Sequence, residues 1–295
     1  METMRDIQIR MKSIDSTRQI TETMRLISNR KVQKIKKRME DNRPYFEQAA
    51  KVIDGIAANP DTADHPYITG RPGTDPKAKK SLVIVITADR GLCGGYNSNV
   101  LKETSALLKN LGGVKIVAVG TKGRDYFRRR KVEVAESYKG LSENPFYEDA
   151  QAISEAAVKM FAEKETDEVY IVYTEYHTML SQTPRAVRLL PLDRGGADKK
   201  TESTEPEPGP AMNFDSGETE FLEYAVSAYV SALIFGGMLE SAVSEQCARL
   251  TGMDSAVKNS EKIIDTLTLQ YNQMRQSAIT QEIAEIVGGA NAVGK

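Results

Sequence analysis

The feature that most constrains this chain is its C-terminal end, residues 216–287, which carries no proline and repeats apolar or small residues at steps of three and four. Leu239, Ala242, Gln246, Arg249, Met253, Ala256, Ser260, Ile263, Leu267, Met274 and Ala278 fall on one stripe of an α-helix. At about 1.5 Å rise per residue, a continuous helix over this span is roughly 100 Å long. No compact domain is that wide, so the helix is expected to project or to be bundled with something equally long. Gln246 and Arg249 interrupt the stripe with an amide and a charge. Polar residues in a seam cost stability while fixing register, so something polar has to be met along it.

The first segment, residues 3–43, also lacks proline, Pro44 being the earliest. Ile7, Met11, Ile14, Ile20, Met24, Ile27, Val32, Ile35 and Met39 keep the same spacing, which predicts a second long amphipathic helix running on to about residue 57. Its narrow stripe suits a partner helix better than a broad core. The two ends of the chain are therefore expected to form an antiparallel coiled coil with the rest inserted between them. Arg25, Arg30, Lys31, Lys34, Lys36, Lys37 and Arg38 make this helix strongly basic, with no acidic residue among them. Such a run is either a solvated face or a collar that meets an acidic partner. Nucleic acid fits less well, because no aromatic residue interleaves the run and no recognition-helix pattern follows.

Between the helices the grammar changes. Residues 59–80 are rich in Pro, Gly, Asp and Lys and read as a linker. Residues 82–86 form a continuous β-branched apolar run, the mark of a strand buried on both faces. Further strands are predicted at 114–119, 132–134, 168–173 and 186–190, with helices at 98–111, around 126–130 and at 149–162. Strands alternating with helices indicate a Rossmann-like α/β domain with a largely parallel sheet. Residues 193–213 form an acidic, Pro-rich loop expected to be mobile. The expected organisation is an N-terminal coiled-coil helix over 1–58, the linker over 59–80, an α/β foot domain over 81–215 and a C-terminal coiled-coil helix over 216–295.

Composition narrows the chemistry. A formal net charge of −1 argues against a general nucleic-acid binder. Cys93 and Cys247 are the only cysteines, and His65 and His177 the only histidines, so neither a disulfide scaffold nor a metal site is expected. No run reaches the roughly 18 consecutive apolar residues of a membrane span. The N-terminus lacks a secretory pattern, and Glu2, Asp6, Asp15 and Glu22 argue against a mitochondrial transit peptide.

Two stretches could carry function. Asp89-Arg90-Gly91-Leu92-Cys93-Gly94-Gly95-Tyr96-Asn97 follows the first strand, where α/β folds usually bind ligands. It matches neither the dinucleotide fingerprint nor a phosphate loop, and nothing ties a histidine to Cys93 as a nucleophile. Asp89 and Arg90 read as a local ion pair or turn cap, or as a contact with another subunit. In the last helix, Asn272, Arg275, Gln276 and Thr280 gather hydrogen-bonding groups on one side. No carboxylate pair, Ser-His-Asp set or metal cluster appears, so catalysis by the chain alone is not expected. The alternative is a nucleotide-dependent α/β enzyme with a coiled-coil dimerisation stalk.

Three stretches together resemble the gamma subunit of the F-type ATP synthase. They are Ile14-Asp15-Ser16-Thr17-Arg18-Gln19-Ile20-Thr21-Glu22-Thr23-Met24, Asp89-Arg90-Gly91-Leu92-Cys93-Gly94-Gly95, and Asn272-Gln273-Met274-Arg275-Gln276-Ser277-Ala278-Ile279-Thr280-Gln281-Glu282-Ile283. A fourth, Glu245-Gln246-Cys247-Ala248-Arg249-Leu250, also looks like that family. The resemblance implies a non-catalytic rotor without cofactor, whose coiled coil rises into a hexamer of alpha and beta subunits. Its foot would bind the epsilon subunit and rest on the c-ring, at the cytoplasmic face of a bacterial membrane, driven by protons or sodium ions. It further implies that Met24 is coupling-sensitive and that Arg30, Lys31 and Lys34 meet acidic segments of beta. Asp89, Arg90 and Cys93 would lie on a loop approaching beta, and Gln246, Arg249, Arg275, Gln276 and Thr280 on the face that meets the hexamer. The cysteine-containing redox insert of chloroplast relatives is absent, so thiol regulation is not expected.

Overall fold

The computed structural model describes residues 3–57, 65–71, 79–192 and 218–293. Most of the expected linker and all of the expected acidic loop, residues 193–213, lie outside them. The chain divides into two units, residues 30–248 and residues 1–29 with 249–295.

Two helices dominate: α1 over Met4–Ala57 and α6 over Glu218–Val293. Helix α1 continues through Pro44, as expected from the pattern on either side of it.

In the larger unit, four parallel strands and one antiparallel edge strand form a single sheet in the order β3-β2-β1-β4-β5. These are β1 (Lys80–Ile86), β2 (Gly113–Val119), β3 (Val134–Tyr138), β4 (Glu168–Tyr176) and β5 (Gln182–Leu190). The central strand β1 explains the layering. Leu82, Ile84 and Ile86 point into one apolar cluster, with Val32 and Ile35 of α1, Ile153 and Phe161 of α5 (Tyr147–Ala162) and Leu239 of α6. Val83 and Val85 point the other way, to Val100 of α3 (Tyr96–Leu108) and Phe127 of α4 (Thr121–Arg129). A strand covered on both faces has no solvent side to mark with polar residues, which is why it reads as an unbroken apolar run.

Tight approaches hold these layers in register. Gly120 adopts a left-handed φ of 94°, and a Cβ there would lie 2.0 Å from the Thr87 carbonyl oxygen, so only glycine fits the turn from β2 into α4. A short helix, α2 (Pro66–Thr69), is tied to the end of β5 by the Leu192 amide, which donates to the Tyr67 carbonyl at 2.7 Å.

The strand expected at 132–134 begins later, at Val134. The Val132 amide is already used, donating to the Phe127 carbonyl to close α4. The sheet is parallel as expected except for β5, which returns through a hairpin and pairs antiparallel with β4. Within this unit α1 and α6 run in opposite directions against each other, Phe46 packing edge-on against Phe235 at 6.2 Å. An 18-residue window of α6 is apolar enough to cross a membrane by composition, but 67% of it is buried inside the protein.

The smaller unit is a two-helix antiparallel coiled coil. The Gln8 side-chain amide donates to the Tyr271 hydroxyl at 2.8 Å, and Arg25 pairs with Asp254 at 3.5 Å. Between those contacts the chain advances 17 residues on α1 and retreats 17 on α6, the signature of an antiparallel ladder.

Its seam departs from the expected stripe. Ile20 and Ile27 are 63% and 51% exposed, whereas Thr21 and Ser28 are buried. The inward positions of α1 are Ile7, Met11, Ile14, Arg18, Thr21, Arg25 and Ser28, a strict alternation of four and three. Thr21 enters the seam because its hydroxyl donates to the Thr17 carbonyl at 2.8 Å and needs no other partner. On α6, Ile263 is exposed and Ile264 takes its place on the inner side, ahead of the buried Leu267.

Candidate contact surfaces

The loop from β1 into α3 is shaped by its own polar groups. One carboxylate oxygen of Asp89 accepts the Thr121 amide at 3.0 Å, and the other accepts the Gly140 amide at 2.8 Å and the Ser142 hydroxyl at 3.1 Å. Thr121 is the first residue of α4, so this carboxylate occupies the helix N-terminus that an anion would otherwise seek. The ordinary place for a phosphate at the C-terminal edge of a parallel sheet is therefore filled from within. Cys93 is buried, with the Asn97 amide donating to its sulfur at 3.1 Å, while the Asn97 carbonyl oxygen accepts the Ala88 amide at 2.9 Å. Arg90 and Leu92 stand at the surface, and Leu92 holds a left-handed φ of 62° with 65% of its surface exposed.

The basic run of α1 separates by role. Lys31 pairs with Glu143 at 2.6 Å, and Lys36 with Glu40 at 3.7 Å. Arg38 donates to the Asn144 side-chain oxygen at 2.8 Å and to the Pro145 carbonyl at 2.7 Å. Arg30, Lys34 and Lys37 are exposed and make no ion pair among the described residues. Their spacing of four and three sets them on one helical face. In the smaller unit, Arg25 is held by Glu22 at 2.7 Å as well as by Asp254.

Gln246 is buried in the larger unit, its side-chain nitrogen unbonded among the described residues. In the smaller unit Arg249 is buried and Met24 half-buried. Arg275, Gln276 and Thr280 are exposed, the Thr280 hydroxyl donating to the Gln276 carbonyl at 2.8 Å. The predicted contact residues thus fall into a surface set and an interior set.

One further surface is not among the contacts expected from the sequence. Ile279, Ile283, Ile286 and Val287 are 47%, 56%, 71% and 54% exposed, at spacings that put them on one face of α6. On the register set by Gln8 and Tyr271, the start of α1 comes level with α6 close to residue 275, so this last stretch of α6 has no α1 segment beside it. An apolar helical face left in water is a surface for another molecule. The signal was an apolar period continuing past the end of its partner helix. Ile20, Leu26 and Ile27 add exposed apolar area on α1.

An exposed apolar helix end, exposed cations and exposed polar groups at many of these positions are the features of a protein that works by contacting other proteins. The family model described as ATP synthase matches residues 3–293. An ATP synthase gamma chain of Alkaliphilus metalliredigens is 40% identical over 98% of both chains. A gamma chain of Acetobacterium woodii described as sodium ion specific is 39% identical over 99% of both. Among solved structures, a chain of the Euglena gracilis mitochondrial ATP synthase superposes with a TM-score of 0.64 at 16% identity, covering 98% of this chain and 94% of that one. A chain from the central stalk/c-ring structure of the Tetrahymena thermophila mitochondrial ATP synthase gives 0.60 at 22% identity, covering 80% and 99%. The chain belongs to the ATP synthase gamma chain family. It is a non-catalytic subunit of the ATP synthase complex, which is membrane-associated.

Proposed function

We propose that this subunit is the rotor that couples ion flow through a membrane c-ring to the conformational cycle of catalytic sites on beta subunits. The end of α6 would sit inside a hexamer of alpha and beta subunits. The α/β domain would bind the epsilon subunit and stand on the c-ring, peripheral to the cytoplasmic face of a bacterial cell membrane. Its domain plan would be the one read from the sequence: coiled-coil helices over 1–58 and 216–295, a linker over 59–80 and a foot over 81–215.

The observation that carries this reading is the face formed by Ile279, Ile283, Ile286 and Val287, apolar yet open to solvent on a stretch of α6 that extends past the start of α1. Such a face gains by entering an apolar sleeve, while Arg275, Gln276 and Thr280 beside it supply directional contacts at fixed angles. Different side chains at each angle present a different surface to each enclosing subunit, and turning the helix exchanges those surfaces. Arg30, Lys34 and Arg90 are exposed cations suited to acidic segments of beta, steering register more than holding the complex. Met24, Lys31, Asp89, Cys93, Gln246 and Arg249 would belong to the same contacts with the hexamer, Cys93, Gln246 and Arg249 from buried positions.

A pull-down of the tagged chain from its native membranes tests the reading. Recovery of alpha, beta, epsilon and c subunits with ATPase activity is the expected result. Recovery of the chain alone, with nucleotide bound to it, would favour the enzyme alternative.

A further inference from the structure

Helix α1 is attached to the sheet by two kinds of contact that differ in what they resist. Val32, Ile35 and Met39 pack into the apolar cluster beneath the sheet. Apolar burial opposes separation and any large roll of the helix, but it is non-directional and defines small changes of angle less sharply than aimed polar bonds do. The second kind is polar and aimed. Lys31 reaches Glu143 at 2.6 Å, and Arg38 reaches the Asn144 side chain at 2.8 Å and the Pro145 carbonyl at 2.7 Å. Lys31 and Arg38 are seven residues apart, two turns on the same face and about 10 Å along the axis. Two directional attachments on one face, separated along the axis, fix the angle of a helix in a way that either alone would not.

The receiving segment, between β3 and α5, is itself anchored. Asp89 binds the Gly140 amide at 2.8 Å and the Ser142 hydroxyl at 3.1 Å, and through the Thr121 amide it is tied to the start of α4. Directional bonds at either end of the short segment 140–145 therefore link α1 to Asp89, in the loop that follows β1.

We infer that the segment 140–145 is a torsional bracket, and that Glu143 is a positioning residue that locks the rotational angle of α1 to the sheet through Lys31. Resting on the rotor reading, the inference adds where torque crosses from the α/β domain into the helix. It also assigns Lys31 a partner within its own chain.

The test uses the complete synthase in sealed vesicles and reads the membrane potential generated per ATP hydrolysed, with a voltage-sensitive dye that responds to either ion. Wild type, Lys31→Glu, Glu143→Lys, the exchanged pair, and the milder Glu143→Gln are compared. Each single reversal is expected to lower that ratio by about twofold to fivefold, the range of a partly exposed ion pair, and the exchanged pair to recover part of it, since Glu143→Lys also removes the carboxylate 3.9 Å from Arg90. Glu143→Gln, which keeps the shape and loses the charge, should fall between wild type and Glu143→Lys. Unchanged ratios in the single variants would overturn the bracket while leaving the rotor reading intact. So would an exchanged pair as impaired as the two singles combined, since Lys31 would then serve another subunit. A wild-type chain that generated no potential on hydrolysis would instead overturn the rotor reading, and the bracket with it.

Discussion

At the scale of single residues, two carboxylates show how environment assigns work. Asp89 collects donors from Thr121, Gly140 and Ser142, each bond charge-assisted. Asp89→Ala leaves two main-chain amides without their acceptor and is expected to lower stability by about 2–4 kcal/mol, measured by urea unfolding. A loss under about 0.5 kcal/mol would mean that water replaces the carboxylate. Glu240 is the opposite case. Burial pushes its carboxyl up to about 7, with Glu175 adding to the rise, while the Tyr176 amide, donating at 3.1 Å, and Arg185 oppose it. A carboxyl raised in the folded state binds its proton more tightly there than in the unfolded chain. Its contribution is complete below the ordinary carboxylate value of 4.5 and is lost as pH rises through about 7. Stability to urea should fall across that window in the wild type and not in Glu240→Gln. Parallel curves for the two proteins would refute the assignment. Neither role was legible in the sequence, because the groups that define it lie 32 to 64 residues away along the chain.

At the scale of elements, the sequence was most readable where one period governs a long stretch. Helices α1 and α6 and strand β1 follow directly from apolar spacing. The seam of α1 was misread where spacing and hydrophobicity disagree. Ile20 and Ile27 are more apolar than Thr21 and Ser28, but only the latter continue the strict alternation from Ile7 to Met39. Small seam residues let two helices approach closely, and the displaced isoleucines become outer surface. Two predictions belong here. Thr21→Leu overfills a close seam and is expected to cost about 1–3 kcal/mol in thermal unfolding, whereas Ile20→Thr, on the outer face, should stay within about 0.5 kcal/mol. Equal effects at the two positions would place the seam on the residues first read from the sequence. Ile283→Asn should likewise leave the isolated chain's unfolding within about 0.5 kcal/mol, yet weaken its assembly with alpha and beta subunits. A variant that assembles as tightly as wild type would remove the end of α6 from the interface. Strand β3 marks the other limit of reading by pattern, since its start depends on an amide already spent in closing α4.

At the scale of the whole molecule, the chain is a non-catalytic subunit whose surface features suit a transmission. Among the described residues no cluster of metal-ligating side chains occurs, and the loop most like a ligand site is filled by its own aspartate. What remains is a set of angular features on long helices: a cationic face at Arg30, Lys34 and Lys37, an apolar face ending at Val287, and polar brackets that set how α1 meets the sheet. The most direct test of the rotor account is to watch the α/β domain turn. A visible probe is fixed to that domain in a complex of this chain with alpha and beta subunits held to a surface, and ATP is supplied. Stepwise turning in one direction, at a rate that tracks hydrolysis, is the predicted result. Hydrolysis at a normal rate with the domain stationary would contradict the account.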